Sequence, residues 1–471
     1  MKNLIALLVL VLFELSFPQS ITLRDTTNQY DYIIITVPEF VQSCQTFKQH
    51  KESYNGFNVL IVDTGQIYNE FNSDSLPQNN IREFISYAGT YWQTPRLKYV
   101  LIVGNVNAVP NFFIDPGIVP DYVHYFQSDY NYKNNLFDLD TTKFDFNIGR
   151  LPALNIQEIQ NYFNKIISYE TKIQIENWMN SNLFLCETSL SFRFVDKAIS
   201  IGQGLPLNIE KKFIEDEIGY PYYGNIDSLL NYINFHGTSV LWFIGYPNDS
   251  TFMRDPVFLD LNDLSLLNNV DKYFLSIHFS QSSIMNTNTN ISREMLFLQD
   301  TGSLGAIVVN GIPYYTNYTY LEHFWARRFY NPEIQSICEV IDTFYNMTSI
   351  DIYHRKAINF LGDPSLKLKY DATVNVSEPI TEIPEDFFLY SNYPNPFNAS
   401  TTIKYQIPFQ SNVTLKLYDI LGTEVLILVD EQKQAGRYEA RFTDNNLTSG
   451  IYFYTLRAGN YTQTKKMILL K

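Results

Sequence analysis

From residue 31 the chain alternates between two hydrophobic periods. The run YDYIIITV is continuously apolar and β-branched, the pattern of a strand covered on both faces. EFVQSCQTFKQHKESYN has helical spacing and stops near Gly56. FNVLIVDT predicts a second buried strand, NNIREFISYAGTYW an amphipathic helix capped by Asn, and LKYVLIVGN a third strand. This order predicts a parallel sheet with right-handed crossovers. The polar stretch DYVHYFQSDYNYKNNLFDLDTTKFDFNIGRLPA predicts loops and a short hairpin on the rim, and NIQEIQNYFNKIISYET a helix.

The pattern restarts near residue 178. SNLFLCET predicts a strand and residues 192–217 are mostly helical in pattern. SLLNYINFHG, KYFLSIHFS and GSLGAIVVNG predict three further buried strands, residues 320–346 more helix, and NFLGDPSLKLKY closes the unit. The reading is two successive α/β subdomains, 31–175 and 176–370, or one long sheet in two halves. Residues 371–386, DATVNVSEPITEIPED, lack apolar periodicity and predict a linker. Over 387–471 the short alternating runs TTIKYQIP, NVTLKLYDI, TEVLILV, GRYEARFT, GIYFYTLRAG and YTQTKKMILLK predict a small antiparallel, Ig-like sandwich.

Composition narrows the class. A chain with 45% apolar and 18% charged residues is globular rather than disordered. A net charge of −15 without a basic cluster argues against nucleic acid as a partner. Three cysteines, Cys44, Cys186 and Cys338, with no CxxC pair, do not make a disulfide framework. Residues 1–20 place one Lys before a short apolar run, Leu4 to Phe13, the pattern of a secretory signal peptide. No other segment has the length of a membrane span. The expectation is a soluble, exported protein.

The last 85 residues carry the most specific motifs. SNYPNPFNASTTIKYQIP, VTLKLYDILGTEV, AGRYEARFT, LTSGIYFYTLRAG and TKKMILLK resemble the C-terminal sorting domain of cargo for the type IX secretion system. Pro394 and Pro396 stiffen the start of this unit, and Gly422 and Gly450 suit turns. The resemblance implies recognition by that machinery at the outer membrane, then release or anchoring at the cell surface.

YDYIIITVPEF, IREFISYA, LKYVLIVGN, DFNIGRLPA, INFHGTS, LGAIVVNGIP and FLGDPSL, in this order, resemble the gingipain family of cysteine peptidases. The resemblance implies a caspase-like fold with an imidazole base on one strand end and a cysteine on the next. In the family the base strand ends Gly-His-Gly. Here His236 and Gly237 are taken as that base and its oxyanion-side turn, with Phe235 in place of the first Gly. The nucleophile position falls on Phe279, with Ser282 near an expected Gly. A benzyl side chain has no lone pair to attack a carbonyl.

Rescue by Ser276 or Ser280 needs an activating base that an isolated hydroxyl lacks. Cys186, at the end of another strand, is the alternative nucleophile, while Cys44 and Cys338 read as core. His278 reads as structural rather than as a metal ligand. Family members bind calcium through loop carboxylates, so Asp129, Asp138, Asp140 and Asp145 are candidate ligands. Asp145 is also expected to pair with Arg150. The functional expectations are an inactive relative that binds a peptide or protein, an active cysteine endopeptidase whose nucleophile has moved, and a structural surface protein whose α/β region is only a scaffold.

Overall fold

A computed structural model of the chain describes residues 21–114, 126–133, 146–189, 192–215, 221–245, 251–252, 259–279, 290–309, 328–345, 356–371, 387–398, 400–407, 410–433, 436–443, 447–459 and 461–470. The proposed leader and the linker lie outside the described residues.

Ten strands form one sheet. They are β1 (Tyr32–Thr36), β2 (Val59–Asp63), β3 (Tyr99–Val103), β4 (Asn147–Leu151), β5 (Ser181–Cys186), β6 (Glu210–Glu215), β7 (Val240–Ile244), β8 (Phe274–Phe279), β9 (Ser303–Val309) and β10 (Ile358–Gly362). Their order across the sheet is β6-β5-β7-β8-β9-β10-β4-β3-β1-β2. Both halves of the sequence pattern therefore share a single sheet. β1, β3 and β7 are buried at every residue, which is why they read as unbroken apolar runs.

Neighbours pair in parallel on either side of a central exception. β10 runs antiparallel to β9 and meets β4 only at Leu361 opposite Arg150. That isolated bridge does not fix its direction; its two ends do. At the start of β10, Asn359 Oδ1 accepts from Asp129 N at 3.2 Å, and Asp129 binds Arg150. Arg150 also donates to Gly104 O, just past the carboxyl end of β3. Beyond the other end, Asp363 accepts from the hydroxyl of Tyr32, the first residue of β1. β10 thus runs from the carboxyl edge of the sheet to its amino edge, and the two parallel halves share one polarity.

Among the described residues eight helices flank the sheet: α1 (Gln45–His50), α2 (Thr64–Glu70), α3 (Pro77–Tyr91), α4 (Ile156–Thr171), α5 (Phe194–Gln203), α6 (Ile226–Asn231), α7 (Ile291–Phe297) and α8 (Ile337–Tyr345). Several sequence readings are corrected. α3 starts with Pro77 at its first position, with no Asn cap. Residues 192–217 hold a helix and then a strand, α5 and β6. SLLNYINFHG is not a strand: α6 continues into a π-helical turn over Tyr232–His236. The strand is the next segment, β7. Ile226, Leu229, Leu230 and Ile233 are spaced for a helix face, and the Asn225 side chain caps it by accepting from Ser228 N.

A buried charge cluster joins the halves. Lys51, wholly buried, places Nζ 2.6 Å from Asp363 Oδ2 and 2.7 Å from Glu170 Oε1. Glu170 also contacts His50 Nε2 at 2.7 Å. Asp363 Oδ1 accepts from Tyr32 OH at 2.7 Å and from Ser365 N at 3.0 Å. Tyr162 OH accepts from Asp363 N and donates to Leu304 O in β9. Burial works against the Lys51 charge, but Asp363 and Glu170 outweigh it and hold its pKa above the ordinary lysine value.

The C-terminal unit has its own core. β11 (Phe388–Leu389), β12 (Ser400–Ile407) and β15 (Gly436–Thr443) form one sheet; β14 (Glu424–Lys433), β13 (Ser411–Tyr418), β16 (Gly450–Ala458) and β17 (Tyr461–Leu469) form the other. Alternation sends Val413, Leu415 and Leu417 of β13 inward to meet Ile403, Tyr405, Leu456 and Met467. Gly422, at φ +80°, closes the turn after β13, where Asp419 Oδ1 accepts from Leu421 N and Thr423 N. Among the described residues no helix is long and apolar enough to cross a membrane.

Two predictions follow from these buried charges. Asp363→Asn removes one of the two carboxylates that hold the buried Lys51 ammonium, so unfolding of the α/β unit by urea should lose about 3 kcal/mol. A loss below about 1 kcal/mol would show that the cluster is not a joint of the sheet. Lys165 is also wholly buried, with Nζ donating to Met295 O, Thr301 O and Ser303 O, and burial lowers its pKa to about 7. Between that value and the unfolded 10.5 the unfolded chain holds the extra proton, so stability rises with pH across the window. Comparing urea midpoints at neutral and alkaline pH, Lys165→Met should remove this rise; an unchanged slope would refute the assignment.

Candidate functional site at the carboxyl edge of the sheet

The carboxyl ends of β6, β5, β7 and β8 stand side by side. Register aligns Glu215 with Cys186, Cys186 with Ile244, and Phe243 with His278. The polar groups of this edge therefore come from strand ends adjacent in space but far apart in sequence, as in open parallel sheets generally.

Cys186 closes β5 and is wholly buried in the main apolar cluster with Phe184, Trp242 and Ile244. Its neighbour Glu187 is nearly buried and donates its backbone N–H to Ile244 O at 3.1 Å. A Cβ on Gly245 would lie 2.6 Å from Glu187 Cβ and 2.7 Å from Oε2, so only glycine fits beneath that carboxylate. Glu215, also wholly buried, closes β6; its N–H donates to Tyr222 O and its C=O accepts from Gly224 N. The sequence reading missed both acids, because each ends an otherwise apolar strand and neither belongs to a motif.

His278, the penultimate residue of β8, is buried, and burial pushes its pKa down to about 3, so the ring is neutral. Ser292 Oγ, in the first turn of α7, lies 3.4 Å from Nδ1 and 3.5 Å from Nε2. Asn290 caps that helix by accepting from Arg293 N at 2.8 Å. Phe279 closes β8 opposite Val309. Its side chain, Ser280 and Ser282 lie outside the described residues.

His236 is elsewhere. It ends the π-helical turn ahead of β7, exposed and stacked on Tyr232 with ring centroids 5.0 Å apart. β7 and β8 are parallel with Val240 opposite Leu275. His236 precedes Val240, whereas Phe279 comes four residues after Leu275. The two positions thus face opposite edges, separated by at least about 13 Å of strand. Gly237, at φ +82°, packs where a Cβ would lie 2.8 Å from Trp178 Cβ; it serves a tight turn on the amino edge. Thr238 Oγ1 donates into the backbone there, at Ser181 O and Val240 O. Ser276 Oγ is within hydrogen-bond distance of Gly305 O in mid-sheet.

The remaining sequence candidates are structural. Burial raises the Cys44 thiol to about 12 and the Cys338 thiol well above its ordinary value, so neither is a thiolate. Arg150 pairs with Asp129, through Nε–Oδ2 at 2.7 Å and Nη2–Oδ1 at 2.6 Å. Arg150 is fully buried, and its Nη1 donates to Gly104 O and Val109 O, so the corner is held by a bidentate pair. Asp138, Asp140 and Asp145 lie outside the described residues. Among the described residues no cluster of three metal-ligating side chains occurs.

A sequence profile of Peptidase family C25 matches residues 25–369, and one of the secretion system C-terminal sorting domain matches residues 391–470. A search of curated proteins finds no match. Among solved structures, the chain is similar to the complex of Porphyromonas gingivalis RgpB pro- and mature domains, with TM-score 0.58 and 14% identity over 93% of this chain and 100% of that one. It is also similar to the Arg-specific cysteine proteinase gingipain R, with TM-score 0.59 and 14% identity over 94% and 98% of the two chains. The sorting domain marks the chain for export to the cell surface or the extracellular space. The profile spans most of the sequence and coincides with the ten-stranded sheet: the chain belongs to peptidase family C25.

Proposed function

We propose that this exported C25 member has lost peptidase chemistry and acts outside the cell as a peptide- or protein-binding relative of the gingipains. The observation that carries the reading is the residue closing β8: Phe279 stands where the family resemblance expects the nucleophile. Carbon and hydrogen alone cannot form the acyl intermediate of a cysteine peptidase.

The strand ends support the same reading for the base. β7 ends at Ile244, followed in sequence by Gly245, Tyr246 and Pro247. A family triplet Gly-His-Gly at a strand end falls on these three positions, which puts tyrosine in place of the imidazole. His236 belongs to the other edge, and His278, although next to Phe279, is buried and neutral. An active enzyme built on Cys186 is disfavoured because that thiol sits at 0% exposure inside the apolar cluster. A nucleophilic cysteine needs an accessible, electropositive setting.

Purified protein incubated with a mixed peptide library should give no cleavage products by mass spectrometry, and thiol-directed affinity probes should not label the folded chain. Turnover that disappears in Cys186→Ala would overturn the proposal. Phe279→Cys alone should restore little hydrolysis, because the edge would gain a thiol without a usable base. Robust cleavage by that single variant would show a competent base already at the carboxyl edge.

A further inference from the structure

The amino edge of the second half-sheet is unusually apolar. Four adjacent strands, β6, β5, β7 and β8, each present exposed aliphatic or aromatic side chains just before they begin. Leu207 precedes β6 and is 93% exposed; Ile173, before β5, is 94% exposed; Phe235, before β7, is 76% exposed. Leu266 and Val270, before β8, are about half exposed.

Hydrogen bonds hold the segments before β7 and β8 together. Lys272 Nζ donates to Phe235 O at 2.7 Å, Asn234 Nδ2 donates to Leu266 O at 3.0 Å, and Asn268 N donates to Asn234 Oδ1 at 2.7 Å. Four strands span about 15 Å. Exposed apolar side chains gathered over that width approach the several hundred Å² that marks an interaction site.

The chain itself points to the occupant. Asp371, where the α/β unit hands over to the linker, is stitched into this edge: its N–H donates to Asn180 Oδ1 and its C=O accepts from Asn208 Nδ2, both at 2.8 Å. Asn180 immediately precedes β5, and Asn208 is the neighbour of Leu207. Fifteen residues, 372–386, separate this point from the sandwich. Fully extended, they reach about 50 Å, and such a tether gives an effective concentration of the order of millimolar.

Charge favours the same encounter. Residues 387–471 hold nine basic and six acidic side chains, +3, against −18 for residues 1–386, which together give −15. The sandwich also carries an apolar projection of its own, Ile420 (69% exposed) and Leu421 (84% exposed) in the turn between β13 and β14.

We propose that the amino edge is a docking surface for the chain's own sorting sandwich, which seats the Ile420–Leu421 turn against Phe235 and Leu207. Detachment of the sandwich would then expose the apolar edge. This inference is independent of whether the carboxyl edge is catalytic.

Hydrogen exchange of the full-length chain at low salt is the test, comparing the native sequence with Leu421→Lys and Phe235→Ser. Both substitutions sit at exposed positions and should leave the circular dichroism unchanged. In the native chain, exchange around 419–423 and 235–237 should be slower by about tenfold than in either variant. Cutting the linker at an inserted protease site should bring exchange at both segments to the rate seen in the variants, because the tether's effective concentration is lost. Equal exchange in all three chains, or protection that a cut at low protein concentration leaves unchanged, overturns the proposal. Protection that depends on concentration and accompanies a doubled mass also overturns it, in favour of a second copy on this edge.

Discussion

The ten-stranded sheet depends on one buried contact, the Lys51 ammonium held between Asp363 and Glu170. β10 runs against its neighbour β9 in the middle of an otherwise parallel sheet. Side-chain chemistry fixes its far end. Asp363 takes Tyr32 from β1 and Lys51 from the turn after α1, and its N–H donates to the α4 hydroxyl of Tyr162, which itself donates to β9. A carboxylate with this many donors tolerates burial because each lone pair is used, and the lysine it holds cannot move without leaving charges unpaired. The same knot aligns both half-sheets with one polarity.

That polarity decides what each edge can do. With all parallel strands ending on one side, the polar groups Glu187, Glu215 and His278 gather there beside the closing residue Phe279. The opposite side receives the segments that feed the strands, and these carry Phe235, His236 and Leu207. The two edges are insulated by strands buried at nearly every residue. A substitution at one edge therefore leaves the packing at the other untouched.

Much of this was legible in the letters. β1, β2, β3, β5, β8 and β9 follow from continuous apolar runs, and the sandwich follows from alternation and turn residues. The failure at NYINFHG has a physical cause. Tyr232, Ile233 and Phe235 make a run as apolar as a strand, but Asn225 and the spacing of Leu229 and Ile233 belong to a helix, and the π-helical turn hides the period at its end. The misplaced strand moved the histidine to the wrong edge. The Lys51 cluster was not legible, because its partners lie 119 residues apart or more and no local pattern encodes such a pairing. The Arg150–Asp129 pair was missed for a related reason: several aspartates were near enough in sequence, and only the fold selects one.

A fold can keep its form after losing a nucleophile when the nucleophile was never part of what held it. Here the stabilising groups are interior: Lys51 with Asp363 at the amino edge, Arg150 with Asp129 at the rim, and Lys165 bound to three carbonyls beneath β9. None uses the last residue of β8. Active-site groups are commonly held in unfavourable electrostatic settings, so their replacement by apolar side chains relieves rather than adds cost. A change of the residue that closes β8 would therefore leave these interior pairings intact.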